Sequence, residues 1–268
     1  MEIIGNLIRI GTSGYSFKDW MGSFYPPGIA QGKMLDFYVQ HFNTVEINST
    51  YYKIPHPAVF AKLDQKVPSD FEFIVKINRD TTHKKIFSPE PMFKIMESVE
   101  SIMNSGKLKG FLGQFPYSFK YSTRNLEHII ETRRLCRGYR LFVEFRHDSW
   151  LQEHVFKVFE EYDIGYSNVD EPDMPKLIPP QSIVTCNTGY VRFHGRNTET
   201  WWDISKGDRY DYEYSEDELK GWFPLIEKIA SAASDTYLFF NNCHMGQAVK
   251  NAKMMRDLIR DQLNLSVC

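Results

Sequence analysis

The chain has 268 residues, a formal net charge of −2, 25% charged residues and 15% aromatics. That composition excludes a disordered or fibrous chain and argues against a generic polyanion binder; the length suits one large core, so a single domain over residues 1–268 is expected. Cys136, Cys186, Cys243 and Cys268 are widely spaced with no CxxC, which gives neither a zinc knuckle nor an obvious disulfide framework and fits a reducing compartment. The opening MEIIGNLIRI lacks a basic segment followed by an apolar stretch and a cleavage site, and no run reaches the length of a membrane span. A cytoplasmic protein with no membrane association is expected.

In chain order, runs rich in β-branched and aromatic residues alternate with stretches of helical spacing. LIRIGT (7–12) precedes 33–42, TVEIN (44–48) precedes 57–66, FEFIVKIN (71–78) precedes 90–104, and GFLGQF (110–115) precedes 123–136. YRLFVEFR (139–146) precedes 151–162, GYVRFHG (189–195) precedes 215–232, and TYLFFNN (236–242) precedes 246–262. Pro57, Ser88 before Pro89, Ser149 and Ser215 are suited to helix starts. IGYSNV (164–169) is the exception: residues 170–185 contain Pro172, Pro175, Pro179 and Pro180, so its crossover is an extended loop or single turn. Alternating strands and helices imply parallel strands with right-handed crossovers, and eight such units close naturally. The expectation is an α/β fold, a single (β/α)8 TIM-barrel-like domain with an irregular sixth crossover.

Candidate functional residues follow from parity. Side chains alternate across a strand, so Val143 and Phe145 face one way and Glu144 and Arg146 the other. The same holds for Glu46 and Asn48, Lys76 and Asn78, and Arg192 and His194. Each polar pair sits toward the carboxyl end of its strand, where barrel enzymes assemble their sites.

The runs GTSGYSFKDWMGSFYP (11–26) and VEINSTYYKIP (45–55) resemble the opening of the YecE-like family of unknown function. VEFRHDSW, GYVRFHGRN and LFFNNCHMGQA are similar to its later blocks, in the same order. The resemblance spans nearly the whole chain; it implies a TIM-barrel-like fold and supplies no activity. By that resemblance Glu46, Lys76, Glu144, Arg146, Arg192, His194, Arg196 and Asn241 occupy motif positions.

The chemistry those side chains permit is acid–base. Glu46, Glu144, Lys76 and His194 form the candidate catalytic set, with His194 as a proton shuttle near neutrality. Arg146, Arg192 and Arg196, with Asn48 and Asn241, suit the oxygens of an anionic, phosphate-containing small molecule or nucleotide. The reaction would be of hydrolase or lyase type. In the long loop GRNTETWWDISKGDRYDYEY (195–214), Trp201 and Trp202 either stack on a ligand or cover core. Arg79, His83, Lys84 and Lys85 add positive charge near the same mouth, GTSG (11–14) offers a weak phosphate cup, and Tyr15, Tyr51 and Tyr52 could line its rim.

Several alternatives stay open. The buried charges could be an ionic plug without chemistry, Lys76 could form a Schiff base, and the protein could be a noncatalytic sensor. A nucleic-acid-binding or -processing protein is the main rival, although a near-neutral chain lacks the broad basic stripe of a duplex binder. No cofactor is expected. A divalent metal held by Glu46, Glu144, His194 and Asp170 is a minority reading, disfavoured by the neighbouring cations and by the absence of HxH, HxxxH and HExxH patterns.

Overall fold

The computed structural model describes residues 6–84, 88–203, 205, 207–263 and 265–268. Its strands are β1 (Leu7–Thr12), β2 (Thr44–Ile47), β3 (Glu72–Lys76), β4 (Leu108–Gln114), β5 (Arg140–Glu144), β6 (Ile164–Tyr166), β7 (Asn168–Asp170), β8 (Thr188–Phe193), β9 (Asp235–Phe240) and β10 (Ser266–Val267). They form two five-stranded parallel sheets, ordered β10-β1-β9-β8-β7 and β2-β3-β4-β5-β6. The expected strands are present within a residue or two, while one continuous ring of ladders is not: the fold is α/β and barrel-like with two seams.

Each seam has a local cause. The segment expected as one strand at 164–169 is split at Ser167, whose amide donates to Val143 on β5, after which Asn168 pairs with Val191 on β8. On the opposite side β1 and β2 meet at a single bridge, Ser13 with Glu46, where the Gly14 amide donates to the Glu46 carbonyl at 2.8 Å. Gly11 permits that approach, since a Cβ there would stand 2.5 Å from the Thr44 carbonyl oxygen.

Helices Pro57–Lys66, Thr123–Leu135 and Gln247–Gln262 stand close to their expected positions, and the stretches at 90–104 and 215–232 each divide into two. Ser215 forms a full capping box with Glu218. Ser149 does not start a helix; it sits in the turn Asp148–Trp150, and the helix Glu153–Glu161 follows. In that turn Trp150 stacks on Phe145 with centroids 4.2 Å apart and donates its indole N–H to Phe119, so the tryptophan of VEFRHDSW anchors the chain leaving β5. Short helices Ser49–Tyr52 and Arg79–Thr82 follow β2 and β3 without periodicity long enough to announce them. As expected, no helix occupies 170–185.

Parity sorts the interior. Val45, Ile47, Val75, Ile77, Val143, Phe145, Val191 and Phe193 pack into the large cluster beneath the helices, whereas Ile74, Leu112, Phe142, Tyr190, Tyr237 and Phe239 form a separate inner cluster. Toward the strand amino ends this inner cluster rests on Glu72, which accepts from Tyr237 Oη and pairs with Arg9, both at 2.6 Å. Toward the carboxyl ends it is capped by charge.

Candidate functional site

Immediately above the inner apolar cluster lies a layer of paired ions. Glu46 on β2, Glu144 on β5 and Arg192 on β8 are essentially inaccessible to solvent. The Arg192 guanidinium donates to Glu46 from Nε at 3.0 Å and Nη2 at 2.6 Å, to Glu144 from Nη1 at 2.6 Å and to Ser13 Oγ at 3.2 Å. Tyr190 Oη completes Glu46 at 2.7 Å. Burial alone would raise the Glu144 pKa, but the Arg146 and Arg192 guanidiniums hold it well below the usual carboxylate range.

Arg146 links this layer to the space above. It pairs with Glu144 at 2.8 Å and with Glu171 at 2.6 Å. Burial, opposed by Arg146 and by the Ile178 amide, pushes the Glu171 carboxyl up to about 7. His194 is enclosed: Nε2 lies 3.1 Å from Glu144, and Asn241 Nδ2 stands 3.0 Å from Nδ1. Burial and the Arg146 charge lower its pKa to about 3, so the imidazole is neutral at physiological pH. The expectation of a shuttle near neutrality is corrected on that ground: His194 is buttressed at both nitrogens.

Above the layer opens a cleft of about 760 Å³ at the carboxyl ends of β2 to β5 and β9. Among the described residues its cationic lining is Lys76, Arg79, Arg146 and Arg209, and no carboxylate lines it. Among the described residues neither Arg79 nor Arg209 is in an ion pair. Asn48 lines the cleft with its Oδ1 buried and unpartnered among the described residues. Lys76 Nζ donates to Gln114 Oε1 at 3.0 Å and sits 4.8 Å from the Tyr51 ring centroid. Burial, reinforced by the Arg192 charge, lowers the Lys76 pKa to about 7. Burial with Lys76 and Arg79 lowers His83 to about 4.

The aromatic wall divides between support and exposure. Trp201 is buried with its ring 5.4 Å from the Arg146 guanidinium and 5.9 Å from that of Arg209. Trp202 is 51% exposed and meets Tyr117 edge-on at 4.9 Å. Trp201 is enclosed between the two guanidiniums, and Trp202 presents surface to solvent at the edge of the cleft.

Lys76, Arg146, Asn48, Asn241, Trp201 and Trp202 line the cleft, together with the rim residues Tyr51 and Tyr52. Glu46, Glu144, Arg192 and His194 lie beneath it. Arg196 is elsewhere: Gly195, at φ +89°, turns the chain, and Arg196 clasps Asp170 with bonds of 2.9 and 2.6 Å. Asp170 also accepts from Tyr214 and Trp222, which removes it from the proposed ion-binding set. Among the described residues no group of three or more His, Cys, Asp or Glu could hold a metal ion.

Other expectations shift. Within GTSG the Thr12 amide donates to Tyr38 Oη, that of Ser13 to the Phe240 carbonyl and that of Gly14 to the Thr12 and Glu46 carbonyls, so the segment makes no phosphate cup, and Tyr15 is absent from the cleft lining. Asn78 caps the helix after β3 and reaches back to the Thr50 and Tyr51 carbonyls. Of the basic run after β3, Arg79 and His83 line the cleft, Lys84 pairs with Asp80, and Lys85 lies outside the described residues. Sequence reasoning missed Gln114, which the parity rule would have found at the end of GFLGQF. It also missed Tyr117, Arg209 and Tyr210, loop residues that carry no periodic signal.

The model for "Protein of unknown function DUF72" matches residues 9–266. The chain is 30% identical over 270 residues to the UPF0759 protein YunF of Bacillus subtilis (strain 168), covering 94% of this chain and 95% of that protein. It is similar to the crystal structure of a DUF72 family protein (TM1631) from Thermotoga maritima MSB8, with TM-score 0.87, 38% identity and coverage of 95% and 100% of the two chains. It is also similar to that of a DUF72 family protein (EF0366) from Enterococcus faecalis V583, with TM-score 0.84, 26% identity and coverage of 94% and 95%. With matches that run nearly end to end, the chain belongs to the DUF72 family of proteins of unknown function.

Proposed function

We propose that the protein is an enzyme that binds an anionic small molecule in the cleft and acts on it by acid–base chemistry of hydrolase or lyase type. The observation that carries this reading is the lining itself: among the described residues it holds four cationic side chains and no carboxylate, in a chain of net charge −2. A general cationic surface does not account for that; the charge is local. Arg79 and Arg209 are the anion-binding groups, since Arg146 is committed to Glu144 and Glu171. Lys76 is the proton-transfer group, because an amine that titrates near neutrality supplies both acid and base forms at working pH. Glu46, Glu144, Arg192 and the neutral His194 act beneath it as a rigid floor whose remaining negative charge is answered by Arg146, so the ionic plug and the functional cup are two layers of one assembly. A phosphate-bearing ligand suits the forked donors, and a nucleotide would also use the exposed faces of Trp202 and Tyr52.

The same reading treats the two sheets as halves of one eight-stranded barrel in a single domain, supported by the seams at Ser167 and at Ser13 with Glu46. A YecE-like identity within the family rests on the motif runs described above. Cytoplasmic residence is supported by four unpaired cysteines. Among the described residues no helix is long and apolar enough to cross a membrane.

The test is thermal unfolding of the purified protein with inorganic phosphate, sugar phosphates, mononucleotides, short oligonucleotides and divalent metals. Stabilisation by a phosphorylated small molecule that is lost in Arg79→Ser combined with Arg209→Ser supports the reading. Stabilisation by oligonucleotides alone would favour nucleic-acid processing, for which exposed Trp202 and Tyr52 are the supporting observation.

A further inference from the structure

Lys76 has no carboxylate partner among the described residues, although its side chain ends over the sealed ionic layer, where the neighbouring cations are paired. Lys107 has Asp64 at 2.8 Å, Arg9 has Glu72 and Asp235, and Arg192 has two glutamates. Among the described residues the Lys76 ammonium meets the neutral Gln114 oxygen and the face of Tyr51. It projects from the end of β3 into the floor of the cleft, between groups that would hold an anion. We propose that Lys76 is a covalent nucleophile, whose Nζ condenses with the carbonyl carbon of an anionic aldehyde or ketone to form a Schiff base. This rests on the anionic-ligand reading, names the substrate class as carbonyl compounds carrying phosphate or carboxylate, and gives Lys76 a covalent role in place of proton transfer.

The chemistry balances within the cleft. The Nζ lone pair adds to the carbonyl carbon, the carbonyl oxygen departs as water with the two amine protons, and the imine takes up one proton to become the cationic electron sink. Condensation needs a neutral amine, and the surroundings supply one. Arg192 and Arg146 disfavour the ammonium and Glu144 and Glu46 favour it; burial decides the balance, giving a pKa of about 7. Arg79 and His83 face the same space from the helix after β3, and Tyr51 from the helix after β2. Because Glu46 and Glu144 are each bonded to Arg192, neither is free to neutralise Lys76. Arg79 and Arg209 would hold the anionic end of the ligand and leave its carbonyl to Lys76.

The test uses pyridoxal 5′-phosphate, an aldehyde carrying a phosphate, as the probe with the full chain at pH 7, followed by borohydride reduction and peptide mapping. Lys76 is expected to be labelled about tenfold or more faster than the other lysines, since an ordinary lysine is almost wholly protonated at that pH. Labelling should rise through pH 7, be slowed by sulfate, and vanish from this position in Lys76→Arg. Labelling spread evenly over the lysines, with Lys76 among the slow ones, would overturn the proposal. If sulfate stabilises the protein and Lys76 stays unlabelled, the nucleophile is overturned and the anion cleft stands. If Lys76 is labelled quickly with no effect of sulfate, the nucleophile stands and the anion cleft falls.

Discussion

The two layers at the carboxyl ends of the strands hold similar side chains in opposite states. In the lower layer each charge is answered: Glu46 and Glu144 share Arg192, and Glu144 also meets Arg146 and His194. In the upper layer Lys76, Arg79 and Arg209 face an open cleft that no carboxylate lines among the described residues. Desolvation makes a buried ion costly unless it is paired, so the lower layer can be dry and rigid. The upper layer can keep unpaired charge only because water, or a ligand, reaches it. Charge that is satisfied within the fold stabilises it, and charge left over is available to a ligand.

The largest expected effect comes from breaking the lower layer. Arg192→Met leaves two buried carboxylates without their common partner and should cost about 3–5 kcal/mol in urea unfolding. A loss below about 1 kcal/mol would mean that the layer does not hold the fold together. Glu144→Gln is milder, about 2–3 kcal/mol, because Arg192 keeps Glu46 and Arg146 keeps Glu171.

Acid should probe the same layer. Glu144 has a folded pKa below its unfolded one, so its stabilisation is complete above the usual value of about 4.3 and is lost as pH falls through the folded value. His194 adds in the same direction: the unfolded chain takes up its proton below 6.5, while the folded protein resists until about 3. The urea midpoint should therefore fall as pH drops below about 6.5, against an opposing contribution from Glu171, and Glu144→Gln should narrow only the part of the fall below about pH 4.3; a midpoint independent of pH down to about pH 3 would contradict the burial of both groups.

The upper layer should respond in binding rather than in stability. Sulfate affinity is expected to weaken several-fold from pH 6 to pH 9 as Lys76 loses its proton near pH 7, and calorimetry on Lys76→Met should give a flatter profile. Sulfate keeps its charge over that range, so an unchanged slope in the variant would assign the pH dependence to another group. Smallest of all, Arg79→Ser and Arg209→Ser should shift stability by no more than about 0.5 kcal/mol. A larger loss would place them with the structural ions.

Much of the fold was legible because strand and helix periodicities are local properties. GYVRFHG and YRLFVEFR carry a period of two that matches the inward and outward faces found for β8 and β5, and the prolines of 170–185 exclude a helix wherever that segment lies. The split at Ser167 was not legible, because which neighbour a strand residue pairs with is set by the partners. Half of the candidate site was visible for the same reason. Lys76 and Arg146 could be named from alternation and Asn241 from the family resemblance, whereas Arg209 and Tyr210 reach the cleft through an irregular loop.

By itself the sequence determined which face each side chain takes: Glu144 and Arg146 point together, away from Val143 and Phe145. Tertiary structure decided depth. Two residues along a strand span about 6.6 Å, enough to seal Glu144 under the floor while Arg146 reaches the cleft. On β8 the same spacing leaves both Arg192 and His194 sealed, because Asn241 closes over His194 and Ser13 and Glu46 enclose Arg192. Alternation is a property of one strand, and burial at a strand end depends on what the neighbouring strands and loops place across from it.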